Sequence, residues 1–264
     1  RVEVVLVTLA LGSYAYLKSK RLRKATLVAF LTYTVLFVLG TFPSWITLGA
    51  LAFEKGLLAV RDTDVAGLFL SPEYVLGRDL ADFRGVLNFK MSLVYGLFVT
   101  GLASFLLWSE YPKHFFALIR NARFPQMIYH AGLLFLGTLL AFHFSDGHIE
   151  FEFFHIMGLL LLLITVEAAW LASVVVNDLE DTAIDVLTNP ARPLIEKTIP
   201  PETYRVYGIL FFLCSLLFSG IVSFSAMLIL LSYQSLAWLY SAPPLRLKQY
   251  PVIATLIAAA AGIL

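Results

Sequence analysis

Long apolar runs alternate with short polar breaks along the whole chain. Runs at about 2–17, 25–41, 91–108, 128–144, 154–176, 204–220, 222–240 and 251–264 have lengths of about 14 to 23 residues, the rhythm of helices crossing a hydrocarbon core about 30 Å thick at about 1.5 Å per residue. The breaks carry the charge. Between the first two runs lies "KSKRLRK", with Lys18, Lys20, Arg21, Arg23 and Lys24, which the positive-inside rule places in the cytoplasm. Counting crossings from there puts Thr41 to Lys90 outside and the break with Lys113, Arg120 and Arg123 inside. "SDGHIEFE" follows outside, and the acidic stretch with Arg192, Lys197 and Arg205 inside. The tight "FSGIV" turn then falls outside, and Arg246 and Lys248 of "LRLK" inside. Residues 44–60 are apolar too, but Glu54 and Lys55 interrupt them; a surface or re-entrant segment is expected there.

Composition strengthens this picture. Hydrophobic residues make up 59% of the 264 and charged residues 14%, with a mean hydropathy of +0.83, against roughly half apolar and a quarter charged in soluble domains. An integral membrane protein follows. Its fold class is all-α, a polytopic transmembrane bundle, because open sheets leave backbone groups unsatisfied in lipid. The net charge of +1 says little about partners, since basic and acidic side chains nearly cancel; the lipid bilayer is the partner expected from the apolar runs, and no nucleic acid is expected. Cys214 is alone, which excludes an intrachain disulfide and a cysteine-based metal site. The chain opens at Arg1 and stops inside "PVIATLIAAAAGIL", so it reads as a piece cut at both ends. A division is expected near Tyr111. Residues 1–110 hold about three spans and a polar insert whose Asp62, Asp64, Asp79 and Asp82 read as loop charges, and residues 111–264 gather polar groups on one membrane face.

That face carries the candidate chemistry. In "VVVNDLEDTAIDVLTNPARPL", residues 174–194, Asn177, Asp181 and Asp185 are four apart, so on a helix they drift only about 40° per step and form a ladder on one side. Carboxylate and carboxamide oxygens suit Mg²⁺, which binds through few protein ligands together with water and substrate phosphates. A phosphorylated ligand needs cations, and the same face offers Arg192, Lys197, Arg246 and Lys248. Acidic residues just past a span ordinarily form a solvated helix end. The ordered succession of ladder, Arg-Pro pair and second Pro-rich basic loop argues against that reading here.

These residues also carry a resemblance. "NDLEDTAID", "NPARPL" and "YSAPPLRLK" resemble the first aspartate-rich motif, the following Arg-Pro loop and the second cytoplasmic loop of the UbiA superfamily of intramembrane prenyltransferases, and "LIRNARFPQMIYHAGLLFLGTLLAF" resembles its first helix. The resemblance covers about residues 113–264. It implies an incomplete UbiA-like core whose cavity holds a polyprenyl diphosphate and opens laterally to lipid. The implied reaction is Mg²⁺-assisted prenyl transfer to an aromatic or lipid acceptor that is membrane-soluble or amphipathic. Carried over are Asn177, Asp181 and Asp185 for catalysis and metal, Asp178 as a further metal ligand, and Arg192, Lys248, Arg246 and Tyr240 for the diphosphate. Two departures accompany it. Where the family usually has Gly after Arg-Pro-Leu, this chain has Glu196 and Lys197. The family's second aspartate-rich motif lies past Leu264, so these residues alone are expected to be inactive.

The remaining polar residues add less. His114, His130, His143, His148 and His155 lack pairing at i,i+4 and read as interfacial. Glu167, deep in a span, reads as facing a cavity or a neighbouring helix. The alternative function from another class is a transporter or channel using the Asp cluster as a cation site.

Overall fold

The computed structural model describes residues 2–61, 64, 67, 69, 74–75, 78–79, 83–144 and 153–263. Asp62, Asp82 and the whole "SDGHIEFE" stretch with His148 lie outside the described residues. The described residues are helical apart from turns and one antiparallel pairing of Tyr74–Val75 with Arg78–Asp79. They divide into two compact units, Arg1–Ser71 and Pro72–Leu264.

The first unit is a helical hairpin. Helix α1 (Val2–Ser19) and helix α2 (Leu22–Lys55) pack along one another, joined at Lys20, which takes the left-handed conformation with φ 52°. Small residues allow the approach: a Cβ added at Gly12 would stand 3.1 Å from that of Ala29. The sequence expectation of a surface or re-entrant segment at 44–60 is corrected in part. Residues 44–55 continue α2, and Glu54 and Lys55 are its last turn, ended by Gly56 at φ 83°. Continuous apolar residues keep the backbone helical, and the stop comes where glycine can leave it.

The second unit holds α3 (Phe83–Glu110), α4 (Pro112–Asn121), α5 (Phe124–Phe144), α6 (Phe153–Glu180), α7 (Thr182–Thr188), α8 (Pro201–Val222), α9 (Phe224–Ser241) and α10 (Pro251–Ile263). Six helices among the described residues are long and apolar enough to cross a membrane: Leu22–Phe42, Gly85–Glu110, Phe124–Phe144, Phe153–Glu180, Pro201–Val222 and Phe224–Ser241. Val4–Ser19 and Pro251–Gly262 are shorter apolar helices. The chain is an all-α, multi-pass membrane protein.

Helix α6 is the hub, packing against α3, α5, α8 and α9. Gly158, Ala168, Ala169 and Ala172 give it a buried face of small residues. Where α8 crosses it, a Cβ on Gly208 would come within 2.6 Å of Val175 Cγ1, so only glycine fits. Just beyond this crossing Ala117, Leu118, Val175, Ile199 and Tyr204 form one buried cluster with Leu179 and Leu194 against it. This cluster joins α4, α6 and α8 to the loop before α8, and it is the floor on which the polar end of the bundle stands. One further boundary differs from the expected one. The turn expected at "FSGIV" falls instead at Ser223, whose hydroxyl accepts from the Ala226 N–H at 3.0 Å, the capping that a serine supplies and Gly220 cannot.

Gly208→Ala is expected to destabilise the bundle by about 1–3 kcal/mol through overpacking against a stiff β-branched side chain. The double variant Gly208→Ala, Val175→Ala should recover part of the loss. Thermal unfolding in detergent, compared across the two, checks both expectations.

Candidate active site

Three interruptions of the helices meet at one end of α6. The first separates α4 from α5. Helix α4 begins with Pro112 in its first turn and ends at Ala122, after which Arg123 takes φ 57°. The last turn of a helix leaves carbonyls without partners; here the indole N–H of Trp170 donates to the Ala122 carbonyl at 3.1 Å. The second separates α6 from α7 at Asp181, with φ −100° and ψ 9°. Arg246 donates to the Glu180 carbonyl at 3.3 Å and so caps the break. The third is the loop after α9, with a cis bond between Pro243 and Pro244 and Arg246 at φ 39°.

The motif residues fall into two groups around these breaks. In one, Asn177 Oδ1 accepts from Lys248 Nζ at 3.0 Å and from Ser241 Oγ at 3.2 Å. Asp181 Oδ2 accepts from the same Lys248 Nζ at 2.6 Å, and Oδ1 from Arg246 at 2.8 Å. In the other, Asp178 is 1% exposed. Its Oδ2 accepts from Asn121 Nδ2 at 2.6 Å and the Tyr204 hydroxyl at 3.0 Å; its Oδ1 accepts from Arg123 at 3.2 Å and from Arg192. Arg192 also donates to Asp185, which takes a second bond from Asn189 Nδ2 at 3.1 Å. The ladder expected from sequence is thus divided by the break at Asp181. Asn177 and Asp181 share Lys248, while Asp185 is joined to Asp178 through Arg192. Tyr240 is half-buried in the last turn of α9 and makes no hydrogen bond to these four residues among the described ones. Lys197 is exposed.

Five participants are absent from the sequence expectation: Asn121, Arg123, Tyr204, Asn189 and Ser241. The signal for the first two was present as "NARFP", polar residues between two helical runs with a proline following. Tyr204 carried none, since a tyrosine at the start of an apolar run looks like any interfacial ring. Arg120 pairs with Glu196 and donates to the Ala191 carbonyl at 3.5 Å, tying α4 to the loop after α7. In that loop Lys197 sits at φ 56°, and the Thr198 N–H bonds back to the Pro193 carbonyl at 3.0 Å. The tight turn is kept, with lysine in the left-handed conformation that glycine takes at no steric cost.

The UbiA prenyltransferase family matches residues 134–264. The match over this segment is consistent with membership of the UbiA superfamily. No curated protein and no solved structure matches the chain. The matched segment contains all four motif residues and both basic loops, whereas Asn121 and Arg123 precede it. UbiA proteins are polytopic helical bundles with prenyltransferase activity, and they generally use Mg²⁺.

The donor chemistry here fits such an ion. No cluster of three or more Asp, Glu, His or Cys side chains forms a preformed metal cage among the described residues. Yet Asn177 Oδ1 and Asp181 Oδ2 converge on one cationic centre, the Lys248 ammonium. Two hard oxygens aimed at one positive charge are the few-ligand set that Mg²⁺ accepts alongside water and phosphate. Two apolar hollows lie along α6, neither lined by a motif residue. One, about 610 Å³, lies between α5, α6, α9 and α10, walled by Tyr129, His130, Trp170 and Tyr233; another, about 540 Å³, lies between α6, α8 and α9. The Oε2 atom of Glu167 is buried without a hydrogen-bond partner. His114 bonds the Tyr207 hydroxyl at 2.8 Å, and His130 lies edge-on to Trp170, so both are packed within the bundle.

Burial alone would raise the Asp181 carboxyl, but hydrogen bonds and charge from Lys248 and Arg246 outweigh it and hold it below the usual carboxylate range. A depressed folded-state pKa stabilises above the unfolded value of about 3.9 and loses that contribution as pH falls through the folded one. The stability difference between the unsubstituted protein and Asp181→Asn should therefore be flat from neutral pH down to about 5 and shrink only below about 3.9, as read by thermal melts in detergent. Lys197→Gly should raise stability by up to about 1 kcal/mol by removing the cost of a left-handed lysine, measured the same way.

Proposed function

We propose that the protein transfers an isoprenyl group from a polyprenyl diphosphate to a membrane-soluble or amphipathic acceptor, in a Mg²⁺-dependent reaction. The observation that carries this reading is the convergence of Lys248, Arg246, Arg192 and Arg123 on Asn177, Asp178, Asp181 and Asp185 at one end of an apolar bundle. Oxygen donors for a hard cation and fixed cations for phosphate sit within the same hydrogen-bonded group, beside a chamber that suits a hydrocarbon tail.

In this reading the allylic C–O bond breaks with its electron pair leaving on the diphosphate. The acceptor then forms the new bond to the prenyl carbon and gives up a proton. Arg192, Arg246 and Lys248 hold the departing oxygens, with Tyr240 beside them at the end of α9; guanidinium groups grip phosphate oxygens in pairs, and the ammonium acts as a point charge. Asn177, Asp181 and Asp185 would hold Mg²⁺, which when bound would neutralise charge on the leaving group. The rings of Tyr129, Trp170 and Tyr233 shield the electron-poor prenyl carbon from water and face it with π-density. The basic breaks support a cytoplasmic position for this end of the bundle. Residues 111–264 carry the chemistry, and residues 1–110 contribute further spans. A cation pathway would call for carboxylates distributed through mid-span, whereas the four acidic-motif residues stand together at the end of α6.

Incubation of the full-length protein with radiolabelled polyprenyl diphosphate and a panel of aromatic and lipid acceptors should give prenylated product and pyrophosphate only with Mg²⁺ present. Asp181→Asn should lower turnover at least about 100-fold, the scale on which loss of a leaving-group contact falls. Unchanged turnover and Mg²⁺ dependence in that variant would sink the reading.

A further inference from the structure

We propose that Asp178 is a positioning residue that aims Arg192 and Arg123 at the diphosphate and does not ligate the metal, although it belongs to the same acidic motif. The assignment rests on the prenyltransferase reading above. It goes beyond it by dividing the motif into two tasks.

The argument starts from lone pairs. An ionised carboxylate offers about four acceptor positions, and Asp178 has four donors on them: Asn121 Nδ2 and the Tyr204 hydroxyl on Oδ2, Arg123 and Arg192 on Oδ1. The group is 1% exposed, and it stands on the buried cluster of Ala117, Leu118, Val175, Ile199 and Tyr204. No acceptor position remains for a cation, and there is no route by which an ion with its water shell could reach one. Asp181 differs on both counts. Its side chain is 15% exposed, and it accepts from two donors, Lys248 and Arg246, which leaves acceptor positions open. Mg²⁺ gives up its own water reluctantly, so the more open carboxylate is the one it can take.

The donors on Asp178 come from separate pieces of chain. Asn121 and Arg123 flank the break between α4 and α5, Tyr204 is in the first turn of α8, and Arg192 is in the loop after α7. Arg192 Nη1 donates to both Asp178 and Asp185, which pins that end of the guanidinium between two carboxylates. Removing the Asp178 charge leaves Arg192 and Arg123 without a shared anchor. They lose aim at a phosphate, while Asn177 and Asp181 keep theirs on the metal. Outer groups of this kind typically change ligand affinity by roughly 10- to 100-fold when removed.

The test uses Mn²⁺ as a spectroscopic stand-in for Mg²⁺. Electron paramagnetic resonance titration gives its affinity for the detergent-solubilised protein, and calorimetry gives the affinity for inorganic pyrophosphate at saturating Mn²⁺. Asp178→Asn should leave Mn²⁺ affinity within about twofold and weaken pyrophosphate about tenfold or more. Asp181→Asn should weaken Mn²⁺ itself about tenfold or more. Tyr204→Phe, which removes one donor and keeps the charge, provides the same split where Asp178→Asn does not fold, with pyrophosphate weakened a few-fold and Mn²⁺ unchanged. Loss of Mn²⁺ affinity in Asp178→Asn or Tyr204→Phe comparable to that in Asp181→Asn would overturn the assignment and leave the prenyltransferase reading intact, as would unchanged pyrophosphate affinity in both. Absence of Mn²⁺ binding by the unsubstituted protein would overturn that reading and this assignment with it.

Discussion

A carboxylate buried at the end of a transmembrane helix must be neutralised by its surroundings, and the polar end of this bundle is organised by that requirement. Ionised groups removed from water carry a large desolvation cost unless charge and hydrogen bonds compensate. Asp178 meets the condition with two guanidinium groups, a carboxamide and a phenol drawn from three segments of chain. The loop after α7, the break before α5 and the start of α8 are each held by the need to satisfy one side chain. The tight α6 and α8 crossing at Gly208 and Val175 then brings Tyr204 close enough to take part.

The loops around this knot adopt conformations that ordinary residues avoid. Arg123, Lys197 and Arg246 all have positive φ, a choice that costs about 1–2 kcal/mol each for a side chain with a Cβ. Two of the three direct their guanidinium groups onto motif carboxylates. The ion pairs offset the backbone cost, and the strain is found where side chains must point inward from a sharp bend. Arg246 does two things from one position, closing the end of α6 at Glu180 and neutralising Asp181.

Much of this was legible in the sequence, for physical reasons that can be named. Period and length of the apolar runs mark helices because lipid leaves the backbone no other way to satisfy itself, and the acidic motif and basic loops stand out because charge near hydrocarbon is rare. What could not be read was the partnership within the motif. Four-residue spacing places Asn177, Asp181 and Asp185 on one face only while the helix continues, and it stops at Glu180, where Arg246 from a distant loop caps it. Likewise Asn121 and Arg123 are ordinary residues of a helix junction until Asp178, 57 and 55 positions away, is folded against them. Lys197 shows the reverse case: a missing glycine suggested an altered turn, and the backbone keeps the turn with lysine in glycine's place.

Trp170 has one more consequence. Its ring forms part of the wall of the 610 Å³ chamber, and its N–H is moored to the Ala122 carbonyl. The indole is held both by that hydrogen bond and by the edge of the His130 ring, so it cannot swing aside to widen the chamber and the bore there has a fixed calibre. Beside it stand aliphatic walls of Leu133, Leu134 and Leu162, which can yield.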